Sequence, residues 1–154
     1  MHPSYVAVVG PSMPEDEAVV EAAREGGRLL AERGHIVVTG GLGGVMAAAV
    51  TGAKQAGGTT LAILPGMRRE DAWPGNDIAI PTGMGEMRNA LIVRTADAVL
   101  AVGGAWGTLS EIALAARTGV PVFAVDSWDL PGPEVLACAT VAEAVERLTA
   151  ALGH

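Results

Sequence analysis

The residues with the clearest chemical potential follow an apolar run that ends at Val102. The next residues, 103–107, form what we call the C-terminal glycine junction, and the pattern of a helix starts at Gly107-Thr108. A strand, a glycine turn and a helix N-terminus together present free backbone N–H groups to an anion. Glycine also lets the backbone approach a ligand where a Cβ atom would clash. The segment therefore predicts a phosphate site, in which Thr108 either caps the helix or donates its hydroxyl to a phosphate oxygen.

Glu111 follows Thr108 by three residues. Thr-x-x-Glu is the spacing of a capping box, in which the glutamate would bond the backbone at the start of the helix. The same carboxylate would also stand beside the predicted phosphate site, where it could act on a ligand. The spacing supports the capping role and the catalytic role of Glu111 equally.

A second strand–glycine–helix junction lies earlier in the chain. The N-terminal glycine junction, residues 40–44, follows a short apolar strand pattern, and a helix pattern opens near Val45-Met46. Neither junction has the Walker-A spacing, and neither is a clean Gly-x-Gly-x-x-Gly dinucleotide fingerprint. Two such junctions in one small domain favour a phosphate ligand over plain tight turns.

A polar cluster, residues 85–89, opens an otherwise apolar helix pattern. Arg88 in this cluster either clamps an anion over the edge of the sheet or lies at an exposed helix start, and the sequence favours neither. The sequence also leaves two roles for Trp106, because an indole at this position could stack against a ligand base or form part of a subunit contact.

The composition excludes several classes of protein. The chain has 154 residues, which suits one domain, and its net charge of −7 argues against binding to nucleic acid or to an anionic membrane. The single cysteine, Cys138, cannot form an internal disulfide, which indicates a core residue in a cytoplasmic protein. Three scattered histidines predict no metal site. No apolar run approaches transmembrane length, and no leader is expected before the first strand.

Strand and helix patterns alternate along the whole chain. They predict an α/β fold, a Rossmann-like doubly wound parallel sheet in a single three-layer α/β/α domain over residues 1–154. The first strand is apolar throughout, so we expect it at the centre of the sheet, in the order 3-2-1-4-5 or an extension of it. A surface loop is predicted over 66–77. The predicted strands cover 5–9, 36–38, 61–64, 78–80, 97–102, 120–125 and 135–139, and the predicted helices 14–33, 45–56, 84–95, 108–118 and 140–152.

Ligands of open α/β sheets bind where the carboxyl ends of the strands meet helix N-termini. Glycine and polar residues occupy most of the predicted turns at that edge. The predicted ligand- and phosphate-binding residues are Gly10, Ser12, Gly40, Gly41, Gly43, Gly44, Met46, Thr82, Gly83, Arg88, Asn89, Gly103, Gly104, Ala105, Trp106, Gly107 and Thr108.

Three segments carry a family resemblance. Gly104-Ala-Trp-Gly-Thr-Leu-Ser-Glu111 resembles the Pro-Gly-Gly-x-Gly-Thr-x-x-Glu motif of the "Lonely guy" family, the cytokinin riboside 5′-monophosphate phosphoribohydrolases. Residues 40–46 resemble that family's glycine-rich segment ending in Gly-Leu-Met, and Met87-Arg88 resembles its Glu-Arg-Lys segment. The similarity spans roughly residues 5–126 with the motifs in the family's order. The same superfamily includes molybdenum cofactor carrier proteins, whose motifs look closer still.

The resemblance implies that Arg88 and Glu111 take the family's catalytic positions. The chain departs from the family pattern at three positions, where Gly103 replaces a proline, Ala105 a glycine and Asn89 a lysine. The last change removes one positive charge from the site. Members of the family are sometimes labelled lysine decarboxylases, but the single lysine lies in the polar part of a helix pattern and offers no Schiff-base site for pyridoxal phosphate.

Two functions follow from this comparison. The first is an enzyme that hydrolyses the N-glycosidic bond of a nucleoside 5′-monophosphate to free base and ribose 5-phosphate. In it Glu111 would stabilise the oxocarbenium-like state or activate water, and Arg88 would hold the sugar phosphate. The alternative is a non-catalytic carrier of molybdenum cofactor or another phosphorylated ligand.

Neither function requires a further cofactor, and the bound ligand would be phosphate, an AMP-like nucleotide or molybdenum cofactor. The helix patterns over 84–95 and 108–118 are apolar on more than one face, which predicts a homodimer or a larger homo-oligomer. The resemblance also implies a dimer.

Overall fold

The computed structural model describes residues 2–154, which form one seven-stranded, wholly parallel sheet with helices on both faces. The predicted doubly wound α/β fold is thereby confirmed. The strands are β1 (Tyr5–Val9), β2 (Ile36–Thr39), β3 (Thr60–Leu64), β4 (Ile78–Pro81), β5 (Ala98–Val102), β6 (Val122–Val125) and β7 (Val135–Ala137). The helices are α1 (Glu17–Glu32), α2 (Val45–Gln55), α3 (Asn89–Thr95), α4 (Trp106–Thr118) and α5 (Val141–Ala151), with short 3-10 turns at Arg69–Asp71 and Gly85–Arg88.

The strand order is β4-β3-β2-β1-β5-β6-β7, with β1 at the centre as predicted. The place next to β1 differs from the predicted order, because β5 and not β4 occupies it. β4 instead extends the sheet beyond β3. Burial explains the difference: every residue of β5 is buried and needs cover on both faces, whereas β4 is largely exposed and suits an edge.

Alternating residues along the strands face two separate cores. Val6 and Val8 of β1 pack with α1, α2 and α5 on one face of the sheet. Ala7 and Val9 pack with α3 and α4 on the other face. Both cores consist almost entirely of small aliphatic side chains, which allow the helices to lie close to the sheet and to each other.

Helix ends follow the local capping chemistry. α1 begins at Glu17 rather than at Pro14, because the Asp16 side chain accepts a hydrogen bond from the Ala18 N–H at 2.9 Å and so makes Asp16 the N-cap. Gly34 follows the end of α1 with φ +81°, as predicted for a C′ glycine. α5 has the predicted Thr140 cap, whose hydroxyl accepts from the Glu143 N–H at 3.1 Å.

The predicted helix over 84–95 is divided in two. A 3-10 turn, Gly85–Arg88, precedes the α-helix Asn89–Thr95. Gly85 has φ +61°, a conformation that an α-helix does not contain, so the chain enters α3 through the tighter turn. This arrangement places Arg88 at the point where the turn becomes α3, with its side chain directed into the protein.

Residues 66–77 form the predicted surface loop, which includes the turn Arg69–Asp71. The loop is anchored at its end by an ion pair of 2.8 Å between Lys54 Nζ and Asp77 Oδ1. In its middle, the Trp73 N–H donates to the Gly41 carbonyl at 2.8 Å. Lys54, the single lysine of the chain, therefore anchors the 66–77 loop through this ion pair. None of the helices in residues 2–154 has the length and apolar character needed to cross a membrane.

Candidate functional site

A cavity of about 280 Å³ opens at the carboxyl ends of β1 and β2, between the starts of α2 and α4. This edge of the sheet is where the strand order reverses direction, since the chain passes outward from β1 on both sides. We call it the anion cavity. The predicted residues that line it are Gly10, Ser12, Gly40, Met46, Arg88, Asn89, Ala105, Gly107, Thr108 and Glu111.

α4 begins earlier than predicted, at Trp106, and Ala105 is its N-cap. Thr108 therefore lies inside the first turn and Glu111 in the second, so the capping-box alternative for this pair is wrong. Ala105 has no side-chain group that could bond the first turn, and no other side chain caps it. The N–H groups of the first turn, which have no partner within the helix, remain available to a ligand or to solvent.

Two buried polar atoms of residues that line the anion cavity have no hydrogen-bond partner. They are Thr108 Oγ1 and Arg88 Nε, in side chains that are 1% and 8% exposed. Buried polar atoms are nearly always paired, because an unpaired one loses its bonds to water without replacement. Both residues line the anion cavity, so a ligand with several acceptor oxygens would satisfy both atoms.

Arg88 is buried, which excludes the exposed-helix-start alternative. Its Nη2 lies 3.4 Å from the Gly40 carbonyl oxygen, and its Nη1 donates to Asn89 Oδ1. A Cβ atom on Gly40 would lie 2.6 Å from Arg88 Nη2, so only glycine leaves room for the guanidinium here. The lack of a side chain at Gly40, in the N-terminal glycine junction, thus leaves space for the Arg88 guanidinium beside the cavity.

Glu111 is 8% exposed and also faces the cavity. Burial raises its pKa to about 7, and the nearby positive charge of Arg88 only partly opposes this rise. Burial lowers the pKa of Arg88, against the attraction of Glu111 and Glu86. No ion pair within 4.0 Å joins Arg88 to either carboxylate in residues 2–154. Among the described residues, the site therefore holds a guanidinium without an ion-pair partner and a carboxyl group whose pKa is raised to about 7.

Other predicted residues lie beside the cavity and do not line it. Gly44 has φ +64°, and its backbone packs against Pro11 and Ser12. The Thr82 hydroxyl is occupied, since it donates to the Leu64 carbonyl at 2.7 Å. The predicted residues outside the lining of the anion cavity are Gly41, Gly43, Gly44, Thr82, Gly83, Gly103, Gly104 and Trp106.

A second cavity of about 410 Å³ adjoins the first and shares Glu86, Asn89 and Gly107 with it. We call it the ring shelf. Its remaining lining residues are Met87, Trp106 and Ser110. Both alternatives for Trp106 stay open, because its indole is 77% exposed at the rim of this shelf.

Sequence reasoning missed six residues that line the anion cavity: Val8, Val9, Pro11, Leu42, Pro65 and Glu86. Five of them are apolar or proline residues, and nothing in their sequence context distinguishes them from core or turn residues. Glu86 belongs to the polar cluster 85–89 and could have been included on that basis. In residues 2–154, no group of three or more His, Cys, Asp or Glu side chains is placed to hold a metal ion.

The fold and the cavity define a Rossmann-like α/β domain with a cavity at its topological switch point. Residues 3–150 match the SLOG cluster4 family, and the chain belongs to that family.

Similar structures cover almost the whole chain. The molybdenum cofactor binding protein of the phototrophic bacterium Rippkaea orientalis superposes with a TM-score of 0.92 at 32% identity, over 99% of both chains. The molybdenum cofactor carrier protein of Chlamydomonas reinhardtii has a TM-score of 0.90 at 32% identity, over 99% of this chain and 100% of that one. An uncharacterised protein of Archaeoglobus fulgidus is 49% identical over 105 residues, 68% of each chain. The superfamily inferred from the sequence is thereby confirmed, and the similarity is to its molybdenum cofactor carrier-like branch.

Proposed function

We propose that the protein binds and carries molybdenum cofactor, a phosphorylated pterin, and that the anion cavity holds the phosphate. The observation that supports this most directly is the pair of buried, unpartnered donors Thr108 Oγ1 and Arg88 Nε beside the uncapped start of α4. Buried donors without partners are costly to the folded protein unless a ligand or water satisfies them. A phosphate has enough acceptor oxygens to do so.

Each group would have a distinct part in binding. The first-turn N–H groups of α4 would donate to phosphate oxygens, helped by the helix dipole. The Thr108 hydroxyl would donate one further bond. The Arg88 guanidinium would supply the positive charge, and its burial strengthens this attraction because little water screens it. The net charge of the chain does not prevent binding, because these donors act at short range.

A hydrolase acting on nucleoside 5′-monophosphates is the second candidate, and one observation favours it. Glu111 has a pKa of about 7 and lines the cavity beside Arg88. Such a carboxyl group can accept a proton from water or stabilise a developing positive charge on a sugar ring. The carrier is preferred because structures that cover 99% of this chain at 32% identity are molybdenum cofactor binding and carrier proteins.

One experiment distinguishes the carrier from the hydrolase. The wild-type chain would be incubated with molybdenum cofactor and, separately, with AMP, and bound cofactor and free adenine would be quantified. The carrier predicts that cofactor stays with the protein through gel filtration and that no adenine is released. Release of adenine that is abolished by Glu111→Gln would favour the hydrolase and contradict the carrier.

Variants then test the anion cavity itself. Arg88→Met should weaken the binding of either ligand about 100-fold, as expected for a lost charge-assisted contact in a buried site. Arg94→Met is the matched control, because Arg94 lies on the exposed side of α3 and does not line the cavity. Equal binding by both variants would place the ligand elsewhere and overturn the proposal.

We also propose that the protein is a homodimer in the cytoplasm. Leu91 on α3 is 37% exposed, and Ala113 on the neighbouring helix α4 is exposed as well, so this layer presents apolar surface to the outside. A second copy would cover it. The single cysteine suits a reducing compartment. Light scattering at micromolar concentration should give twice the mass of the chain, and a monomer would contradict the dimer.

A further inference from the structure

The ring shelf combines features that the phosphate site does not need. Glu86 lies where the shelf meets the anion cavity, and it places a carboxylate close to the position of the proposed phosphate. Among residues 2–154 it forms no ion pair. A free carboxylate next to a phosphate is repulsive. The Arg88 guanidinium attracts this carboxylate, and a ligand that brings hydrogen-bond donors would give it direct partners as well.

Two large apolar side chains line the shelf together with Glu86. Met87 is 73% exposed and Trp106 is 77% exposed, and both line the shelf. The Trp106 ring packs against Trp128, with ring centroids 5.3 Å apart and ring planes tilted by 39°. Trp128 is held in turn by a hydrogen bond of 3.0 Å from its Nε1 to the Ala105 carbonyl. The indole of Trp106 is thus a supported flat surface, suited to stacking against a flat ring.

A ring in this position would present its edge to Glu86. A carboxylate accepts two parallel hydrogen bonds when a ring N–H and an exocyclic amino group stand side by side. The 2-amino-4-oxo ring has this pair of donors, in guanine and in pterins alike. Adenine has a ring nitrogen with a lone pair next to its amino group, which a carboxylate repels.

We propose that the ring shelf binds the heterocycle of the phosphorylated ligand, and that Glu86 selects a 2-amino-4-oxo ring while Trp106 stacks on its face. This inference rests on the phosphate site proposed above and specifies the class of ligand that the site takes. Glu86 is then a specificity residue, and Arg88 and Thr108 remain the groups that hold the phosphate.

The test is calorimetric titration of the whole chain with GMP, IMP, AMP, 6-hydroxymethylpterin phosphate and ribose 5-phosphate. GMP and the pterin phosphate should bind at least about tenfold more tightly than AMP, since each offers both donors to the Glu86 carboxylate. IMP, which lacks the amino group, should fall between them. A difference between GMP and the pterin phosphate then shows which of the two rings the shelf fits better.

Two variants assign the effect to its residues. Glu86→Gln should lower the affinity for GMP and the pterin phosphate to about that for IMP, and leave ribose 5-phosphate binding equal or tighter. Trp106→Ala should weaken all ring-bearing ligands about tenfold and leave ribose 5-phosphate unchanged. Trp73→Ala is the matched control, because Trp73 is a partly exposed tryptophan in the 66–77 loop and lines neither cavity.

The outcomes separate this inference from the proposed function. If ribose 5-phosphate and all nucleotides bind equally, or if Glu86→Gln keeps the preference for GMP, the inference is overturned while the phosphate site stands. If none of the phosphorylated compounds binds, both are overturned. If Trp106→Ala changes the mass measured by light scattering without changing ring preference, the shelf is a subunit contact and the inference is again overturned.

Discussion

The two glycine junctions have the same arrangement in sequence and different surroundings in the folded protein. In the N-terminal junction, residues 40–44, the first N–H of α2 is already taken, since Val45 N donates to the Pro11 carbonyl at 3.0 Å. In the C-terminal junction, residues 103–107, no side chain caps α4, and a Cβ atom on Gly107 would meet nothing within 4 Å. The start of α2 is closed by packing, and the start of α4 is open to the cavity.

The difference shows that glycine at a strand–helix turn has two separate uses. In the N-terminal junction it permits close contact within the protein: a Cβ on Gly44 would lie 2.5 Å from backbone atoms of Pro11 and Ser12. In the C-terminal junction Gly107 lines both cavities, and its lack of a side chain leaves them open at this point. Only the second use indicates a ligand directly.

The largest expected effect concerns stability. Gly44→Ala should lower the free energy of unfolding by about 3 kcal/mol, because a side chain is strained at φ +64° and also collides with backbone atoms. Gly107→Ala should change it by about 0.5 kcal/mol or less, since the new methyl group meets nothing. Urea unfolding of both variants measures this. Equal losses would show that the two junctions are packed alike.

The second prediction concerns Glu111, a titratable residue on α4, the helix that follows the C-terminal glycine junction. A rise of the Glu111 pKa from 4.5 to about 7 in the folded chain corresponds to about 3 kcal/mol, as an upper limit. The folded state then binds the proton more strongly than the unfolded state, so stability is lost as pH rises from about 4.5 through about 7.

Glu111→Gln mimics the neutral carboxyl group and should remove most of this loss. Unfolding free energies of both chains, measured between pH 5 and pH 8, should diverge with rising pH, with the variant more stable at pH 8. Parallel profiles would show that Glu111 is solvated like an ordinary surface glutamate.

The third prediction compares two buried threonines, one beside each junction. Thr39 Oγ1 accepts from the Gly41 N–H at 3.0 Å, whereas Thr108 Oγ1 has no partner. Thr39→Val should destabilise the fold by about 1 kcal/mol, because it leaves a buried N–H unpaired. Thr108→Val should stabilise the ligand-free chain by up to about 1 kcal/mol, because it removes an unpaired hydroxyl. Thermal unfolding without ligand should show opposite shifts, and shifts of the same sign would contradict the comparison.

The last prediction concerns ligand affinity. Gly107→Ala should keep the fold but bind phosphate-bearing ligands about tenfold less tightly, because its methyl group keeps a phosphate oxygen from one backbone donor. The control is Ser110→Ala, because Ser110 lies on α4 and lines the ring shelf but not the anion cavity. Gly119→Ala is not suitable as a control, because Gly119 has φ +80° and a side chain there would be strained. Titration with inorganic phosphate compares the two. Unchanged affinity in Gly107→Ala would move the phosphate away from the start of α4.

Local patterns in the sequence determined most of the fold. The short apolar runs became the strands, and burial on both faces placed β1 at the centre, because parallel strands under two helical layers must be apolar throughout. The end of α1 and the start of α5 followed from Gly34 and Thr140, since capping depends on a few neighbouring residues. Local rules failed at the start of α4, where the uncapped Ala105 precedes the first turn.

The tertiary structure alone decided which of the predicted site residues face one another. Arg88 reaches the Gly40 carbonyl across 48 residues of sequence, and no local pattern in the chain predicts that contact. The pKa of Glu111 also depends on the packing of distant elements, because burial, rather than any neighbour in sequence, raises it. The sequence by itself specified the elements and their glycine turns through short-range periodicity and backbone freedom. The division into a closed and an open junction came from long-range packing, which short-range patterns do not encode.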